Sequence, residues 1–136
     1  MSYLIDTSAW VGFFRHRDSP ANQALKRLLG RGPDQVLGCP PVRMELATDP
    51  HDLRRRRVLR VYDSFVSADI TADDFDLAAA IYRATRLRGH TVRSQFDCVI
   101  AAISIRRGAI LVHDDVDFDR MAEAVDSLSV HRLPGG

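Results

Sequence analysis

Asp6, Glu45, Asp97, Asp115 and Asp117 are the residues of this 136-residue chain whose type and placement suit chemistry. Asp6 directly follows the apolar run Tyr3-Leu4-Ile5, and Asp115 and Asp117 stand just beyond a second apolar run, Ala109 to Val112. In an open parallel sheet the ligand site lies beyond the carboxyl ends of the strands, which is where these three acids are predicted. Each also has a plain structural use. Asp6 can cap the helix that follows, although Thr7 or Ser8 could do so instead, and one aspartate of the later turn can cap another helix. A cap needs one carboxylate, whereas Asp114, Asp115, Asp117 and Asp119 place four within six residues. That crowding is costly without a cation.

Asp97 is the third residue after Ser94, where a carboxylate complements the helix dipole. It also shares a helix face with Ile100, Ala101 and Ser104, the face aimed at the core, so its charge calls for a partner. Glu45, between Met44 and Leu46 on a short predicted helix, is less distinctive alone. Acids drawn from separate segments make an oxygen-ligand set for a hard cation, Mg²⁺ or Mn²⁺. Zinc is disfavoured because no Cys or His pair has ligand spacing. The chain has no Gly-rich phosphate loop, and no Ser or Cys sits in a nucleophile's setting. His113, beside the acid turn, either supports the acids or simply fills the strand end.

The elements that must position these acids alternate between strand and helix. Strands are predicted at Tyr3 to Ile5, Val36-Leu37, Ala68 to Ile70, Ala109 to Val112 and, at an edge, Ser127 to His131. Helices are predicted from Ser8 to Phe14, from Ser19 and Pro20 to Gly30, from Pro40-Pro41 to Asp49-Pro50, and onward to about Val66. Thr71 with Asp74 resembles a capping box that opens a helix ending at Gly89. Ser94 with Asp97 repeats the pattern before an apolar helix through Arg107, and a short helix is predicted near Phe118 to Ala124. Short apolar strands between helices imply an α/β fold, a three-layer α/β/α sandwich around a short, mainly parallel sheet. No internal repeat or linker divides residues 1–136, which are expected to form a single domain.

Composition excludes several classes. Hydrophobic residues are 46% and charged residues 27%, which suits a globular protein and not a disordered one. The apolar runs Cys98 to Ile103 and Leu77 to Tyr82 are far shorter than the roughly 20 residues of a membrane span. Asp6 ends the first apolar run too early for a secretory leader. Cys39 and Cys98 read as small buried hydrophobes, not a disulfide, so a reducing cytoplasmic setting is expected.

Net charge is only +1, yet all the basic residues but Lys26 are arginine and all the acids but Glu45 and Glu123 are aspartate. Base composition of the genome is a simple cause of such a bias. The arginines are also clustered, five of them within residues 54–60. At about 100° per residue, Arg56, Arg57 and Arg60 fall opposite the apolar arc of that helix, while Arg54 and Arg55 fall inside it in the first turn. The exposed stripe is either a solvated surface or a set of phosphate contacts, with Arg56 and Arg57 the foremost RNA-binding candidates.

Four segments together carry a resemblance. Leu4-Ile5-Asp6-Thr7-Ser8, the isolated Glu45, Phe96-Asp97-Cys98-Val99-Ile100-Ala101-Ala102 and Leu111-Val112-His113-Asp114-Asp115-Val116-Asp117-Phe118 resemble the four motifs of PIN-domain ribonucleases. Length and motif order are most similar to the VapC toxins of bacterial toxin–antitoxin pairs. The resemblance implies that Asp6, Glu45, Asp97 and Asp115 are catalytic acids and that Asp6, Asp97, Asp115 and Asp117 hold Mg²⁺ or Mn²⁺. Ser8 would orient Asp6. The extra Asp114 allows the last motif to slide by one residue, which leaves the assignment among Asp114, Asp115 and Asp117 open.

The implied activity is metal-dependent hydrolysis of structured RNA, such as transfer or ribosomal RNA, by an activated water. The implied partners are that RNA, a small VapB-type antitoxin and a second copy of the chain in a homodimer. The alternative is a catalytically weak PIN-like module that only binds RNA or protein. A receiver-like signalling domain wants paired early acids and a late lysine, which this chain does not have. A haloacid-dehalogenase-type phosphatase wants a second aspartate where Ser8 stands.

Overall fold

The computed structural model describes residues 1–15 and 18–134. In chain order the strands are β1 (Tyr3–Ile5), β2 (Val36–Gly38), β3 (Val66–Ser67), β4 (Ile110–His113) and β5 (Val130–Arg132). The helices are α1 (Thr7–Arg15), α2 (Pro20–Leu29), α3 (Pro40–Ala47), α4 (Asp52–Tyr62), α5 (Ala72–Leu87), α6 (Gln95–Arg106) and α7 (Val116–Ala124), with a 3-10 turn at Pro33–Gln35. Among the described residues every strand pairing is parallel, and the sheet order is β3-β2-β1-β4-β5.

That order makes β1 the central strand and sets a switch point between β1 and β4. From β1 the chain moves through β2 to β3, then crosses back to β4 and moves outward to β5. Parallel crossovers are right-handed, so the helices of the first half and those of the second half cover opposite faces. The packing agrees: α1 lies against α2 and α3, and α3 against α4, while α5 lies against α6 and α7. The result is the three-layer α/β/α arrangement predicted, with a sheet wholly rather than mainly parallel.

Both faces of the sheet being covered, its strands are apolar on both sides: Leu4, Ile5, Leu111 and Val112 are fully buried. On the first face Trp10 stacks on Phe14 at 5.9 Å and meets the edges of Phe13 and Tyr62, locking α1 to α4. On the second, the uninterrupted burial from Cys98 to Ser104 makes α6 a helix sealed by the sheet beneath and α5 beside it.

Local signals place most helix ends. Ser19 Oγ accepts the Asn22 N–H at 3.1 Å with Pro20 in the first turn. Asp74 Oδ2 accepts the Thr71 N–H at 2.8 Å, the carboxylate half of the predicted box. Asp74 is also buried against the Arg106 guanidinium (2.8 Å), which holds its carboxyl low against the desolvation that would raise it. The second predicted box is corrected: Ser94 makes no side-chain cap bond, and Asp97 points elsewhere.

Two further expectations shift. Helix α4 ends at Tyr62, not near Val66, because Val66 and Ser67 join the sheet beside Leu37 and Gly38. The strand expected at Ala68 to Ile70 therefore lies two residues earlier, although the Ala68 N–H still reaches Gly38 O at 2.7 Å. The edge strand expected from Ser127 begins at Val130, and α7 begins at Val116 because Asp115 caps it.

Tyr62, the last residue of α4, ties the helix to the end of β2. Its hydroxyl accepts the buried Cys39 N–H at 2.8 Å and donates back to Cys39 O at 3.3 Å. Its ring lies so near Gly38 that a Cβ there would sit 3.1 Å from ring carbons. Tyr62→Phe strands a buried N–H and is expected to cost about 1–3 kcal/mol in chemical unfolding. An unchanged midpoint with unchanged slope would show that the bond contributes nothing.

Candidate active site

The chain brings its acids together at the carboxyl end of β1 and β4, on the switch point. Asp6 continues β1, and its backbone N–H still bonds to Val112 O at 2.9 Å. Its side chain is 4% exposed, an unusual burial for a carboxylate. Oδ2 accepts the Ser8 N–H at 2.9 Å and the Ser8 hydroxyl at 2.6 Å, whereas Oδ1 is buried with no partner. Ser8 Oγ in turn accepts the Asp114 N–H at 3.0 Å, so one hydroxyl ties the first acid to the last acidic turn.

The aspartates of that turn differ in their placement. Asp114 contributes its backbone and leaves its side chain exposed. Asp115 caps α7 by accepting the Asp117 N–H at 3.0 Å, and Asp117, 1% exposed, turns inward from the first helical turn. His113 sits fully buried behind them. Its Nδ1 accepts the Asp115 N–H at 3.1 Å, and its Nε2 lies 3.2 Å from Asp119 Oδ1. Burial depresses the imidazole's proton affinity, so His113 is neutral and shapes the turn without adding charge.

Asp97 enters from the first turn of α6 and Glu45 from α3, so the site draws on four separate segments. One oxygen each from Asp6, Glu45 and Asp97 lie within 4.8 Å of one another, and so do one each from Asp97, Asp115 and Asp117. Asp97 belongs to both trios and is the hinge of the cluster. The electrostatics follow. Burial first, then the charges of Asp6, Glu45, Asp115 and Asp117, push the Asp97 carboxyl up to about 7. Burial also raises Asp6 against its bonds to Ser8, and burial with the Asp6 charge raises Glu45.

Carboxylates this close, with Asp6 Oδ1 and Glu45 Oε1 buried and unpartnered, form a donor set that a divalent cation fits. All the donors are hard oxygens. Cys39 and Cys98 stand apart as free buried thiols, with burial pushing Cys39 up to about 12 and Cys98 up to about 11.

A PIN domain profile matches residues 3–124 of the chain. The chain belongs to the PIN-domain family. Among curated relatives it is 45% identical over 121 residues to Ribonuclease VapC11 of Mycobacterium tuberculosis, covering 88% of this chain and 90% of that protein. A VapC ribonuclease of Mycobacterium bovis matches to the same extent. Among solved structures, VapBC2 of Rickettsia felis bound to a promoter DNA fragment superposes with a TM-score of 0.74 at 16% identity, covering 98% of this chain and all of that one. VapC20 of Mycobacterium tuberculosis, a toxin that cleaves the sarcin-ricin loop, gives 0.66 at 20% identity, covering 92% and 98%. At such identities these structures speak for the fold, and the fold is that of the PIN-domain family.

Arg56, Arg57 and Arg60 are exposed on α4, as the helical wheel predicts. Arg56 pairs with Asp52 at 3.0 Å. Neither Arg56 nor Arg57 lines the cleft of about 450 Å³ that opens at Glu45; Arg15 and Arg54 do, with Val11, Phe14 and Leu46. Arg54 and Arg55, inside the apolar arc by angle but in the first turn, turn back to the preceding loop: Arg54 Nη2 holds Asp49 Oδ1 at 2.7 Å and Arg55 Nη1 holds Asp49 O at 2.9 Å. The residue that sequence reasoning passed over is Arg93, which reaches both Asp115 and Asp117. Its position in the basic stretch of residues 83–93 was visible, but nothing local says which way it turns.

Proposed function

We propose that this chain is a metal-dependent endoribonuclease, the toxin of a toxin–antitoxin pair, whose reaction centre is the cluster of Asp6, Glu45, Asp97, Asp115 and Asp117. The observation that carries the reading is the pair of acid trios sharing Asp97, with two buried carboxylate oxygens left unpartnered beside it. The 45% identity to VapC ribonucleases supports RNA as the substrate and a VapB-type protein as the partner. The single core cluster that runs through both halves supports residues 1–136 acting as one domain.

The cluster, with Asp6, Glu45 and Asp97 at one end and Asp97, Asp115 and Asp117 at the other, would hold Mg²⁺ or Mn²⁺. Such an ion supplies Lewis acidity, activating water for attack on a phosphodiester and neutralising charge that builds on the phosphate. The chain's own residues do the arranging. Ser8 fixes the rotamer of Asp6 through two bonds to one oxygen, leaving the other oxygen aimed into the cluster. Asp115 N–H on His113 and Asp117 N–H on Asp115 fix the acidic turn. Among the described residues the histidine beside the acidic turn, His113, is buried behind it, so proton removal would fall to the carboxylates.

A transfer or ribosomal RNA would lie across the carboxyl end of the sheet, and a second copy of the chain would complete a homodimer. No helix among the described residues is long and apolar enough to cross a membrane, which accords with work in the cytoplasm. Phosphates reaching α4 would meet Arg56 and Arg57. Replacing both by Ala is expected to flatten the salt dependence of RNA binding by roughly one unit of slope per lost contact. An unchanged slope would make that stripe a solvated surface.

The activity itself is tested by incubating purified chain with total RNA, with Mg²⁺ or with chelator. Cleavage only with the ion is expected. Cleavage that persists in chelator overturns the reading, and RNA retained intact in both conditions favours a binding module.

A further inference from the structure

Arg93 lies between α5 and α6, outside all four acid-bearing segments, yet its side chain closes on the cluster. Nη2 donates to Asp115 Oδ1 at 2.7 Å and Nε to Asp117 Oδ2 at 3.1 Å, while the Arg93 backbone N–H donates to the same Asp117 oxygen at 3.1 Å. Asp115 Oδ1 also accepts the Asp117 N–H at 3.0 Å. Each of these two carboxylate oxygens therefore has both lone pairs filled by N–H donors.

The other end of the cluster is unlike this one. Asp6 Oδ1 and Glu45 Oε1 are buried and have no hydrogen-bond partner, and no arginine or lysine is paired with Asp6, Glu45 or Asp97 among the described residues. The two trios share Asp97. One end is neutralised by the chain's own cations, chiefly Arg93 with Arg120 more distant at 3.7 Å from Asp117 Oδ1, and the other is left for a cation from solution. The guanidinium suits the task because its planar fork reaches both carboxylates at once, while its fixed positive charge opposes a second cation there.

We propose that Arg93 is a positioning residue that stands in for a second divalent ion: it holds Asp115 and Asp117 in place and limits the free chain to one ion, at Asp6, Glu45 and Asp97. The inference rests on the metal reading given above. Asp117 keeps its bond to the Arg93 backbone when the side chain is changed, so the turn is expected to stay folded in Arg93 variants.

The test counts ions. Metal-stripped protein is titrated with Mn²⁺, and the free ion is followed by its electron paramagnetic resonance signal, for wild type, Arg93→Gln, Arg93→Ala, Arg93→Lys and Asp6→Asn. Wild type is expected to bind one Mn²⁺ per chain, Arg93→Gln and Arg93→Ala two, and Arg93→Lys one, because lysine keeps the charge. Melting curves confirm that each variant folds. Two ions on wild type, or one ion on both neutral variants with wild-type affinity, overturns the role given to Arg93. Two ions on Arg93→Lys overturns it as well, since charge would then not be what excludes the second ion. No Mn²⁺ bound by wild type, or equal binding by wild type and Asp6→Asn, instead overturns the metal reading on which the inference stands.

Discussion

Asp97→Asn and Asp6→Asn are each expected to lower RNA cleavage by at least a hundredfold, on the order of the 3 kcal/mol or more that a lost charge-stabilising group costs a transition state. Asp97 is the more telling position because it serves both trios, so its neutralisation weakens both at once. Asn preserves the shape of the side chain and its place in the first turn of α6, which confines the change to charge. Asp6→Asn keeps an oxygen for Ser8 to bond, yet removes the buried unpartnered oxygen that gives the cluster its pull on a cation. Glu123→Gln, remote from the cluster on α7, is the matched control and should cleave like wild type. Rates are measured on metal-stripped, refilled protein. Retained cleavage by both Asn variants would sink the mechanism.

The second large effect is on stability. Five carboxylates aimed at one volume repel each other, and Asp97, pushed up to about 7 by burial and by those neighbours, reports the strain. Its unfolded value is near 4, so between about 4 and about 7 folding takes up a proton at Asp97. The raised Asp6 and Glu45 act in the same sense and the lowered His113 in the opposite one. Metal-free protein should therefore lose stability as pH rises through that window and have reached its floor by pH 7.5. A divalent ion at a hundredfold excess over its Kd should restore about 2.7 kcal/mol, roughly 10 °C in Tm for a domain of this size.

Asp97→Asn removes one repelling charge and part of the ion site together. In chelator at pH 7.5 it should melt above wild type, and it should gain less from Mg²⁺ or Mn²⁺. The measurement is a pair of melting curves for each protein, with and without millimolar ion. A variant that melts below wild type in chelator would make Asp97 a helix-dipole residue first. A wild type indifferent to the ion would mean that the cluster does not hold one.

What was legible in the sequence is what local chemistry and periodicity encode. Leu4-Ile5-Asp6 and Leu111-Val112-His113 read as buried strands that end in polar residues, and their pairing puts Asp6 beside the acidic turn. Asp97 was legible as a charge on the core-facing side of an apolar helix. The glycine and proline punctuation, with Ser19-Pro20 as the clearest case, fixed helix starts because capping depends on neighbours a few residues apart.

Long-range choices were not legible. Val66 and Ser67 leave the α4 periodicity because β2 offers them unpaired backbone, and no local feature announces that. Ser94 looks like a cap, but its side chain makes no cap bond, and Asp97 joins the acid cluster instead. Which of the crowded aspartates turns inward depends on Asp115 capping α7 and on Ser8, more than a hundred positions earlier in the chain, holding Asp114 by its backbone. Arg93 was missed for the same reason: its partners lie 22 and 24 residues further along.

The central claim is that carboxylates and a divalent ion direct water, not a ribose hydroxyl, at the phosphodiester. The chemistry of the cut ends tests this most directly. Purified chain is incubated with structured RNA in Mg²⁺, and the new termini are identified by their susceptibility to phosphatase and to 5′-phosphate-dependent exonuclease. The account predicts cuts that appear only with the ion and carry a phosphate on one side and an unmodified ribose on the other, with no cyclic phosphate. Fragments ending in a 2′,3′-cyclic phosphate, formed equally well in chelator, would show that the 2′-hydroxyl is the nucleophile and would contradict it.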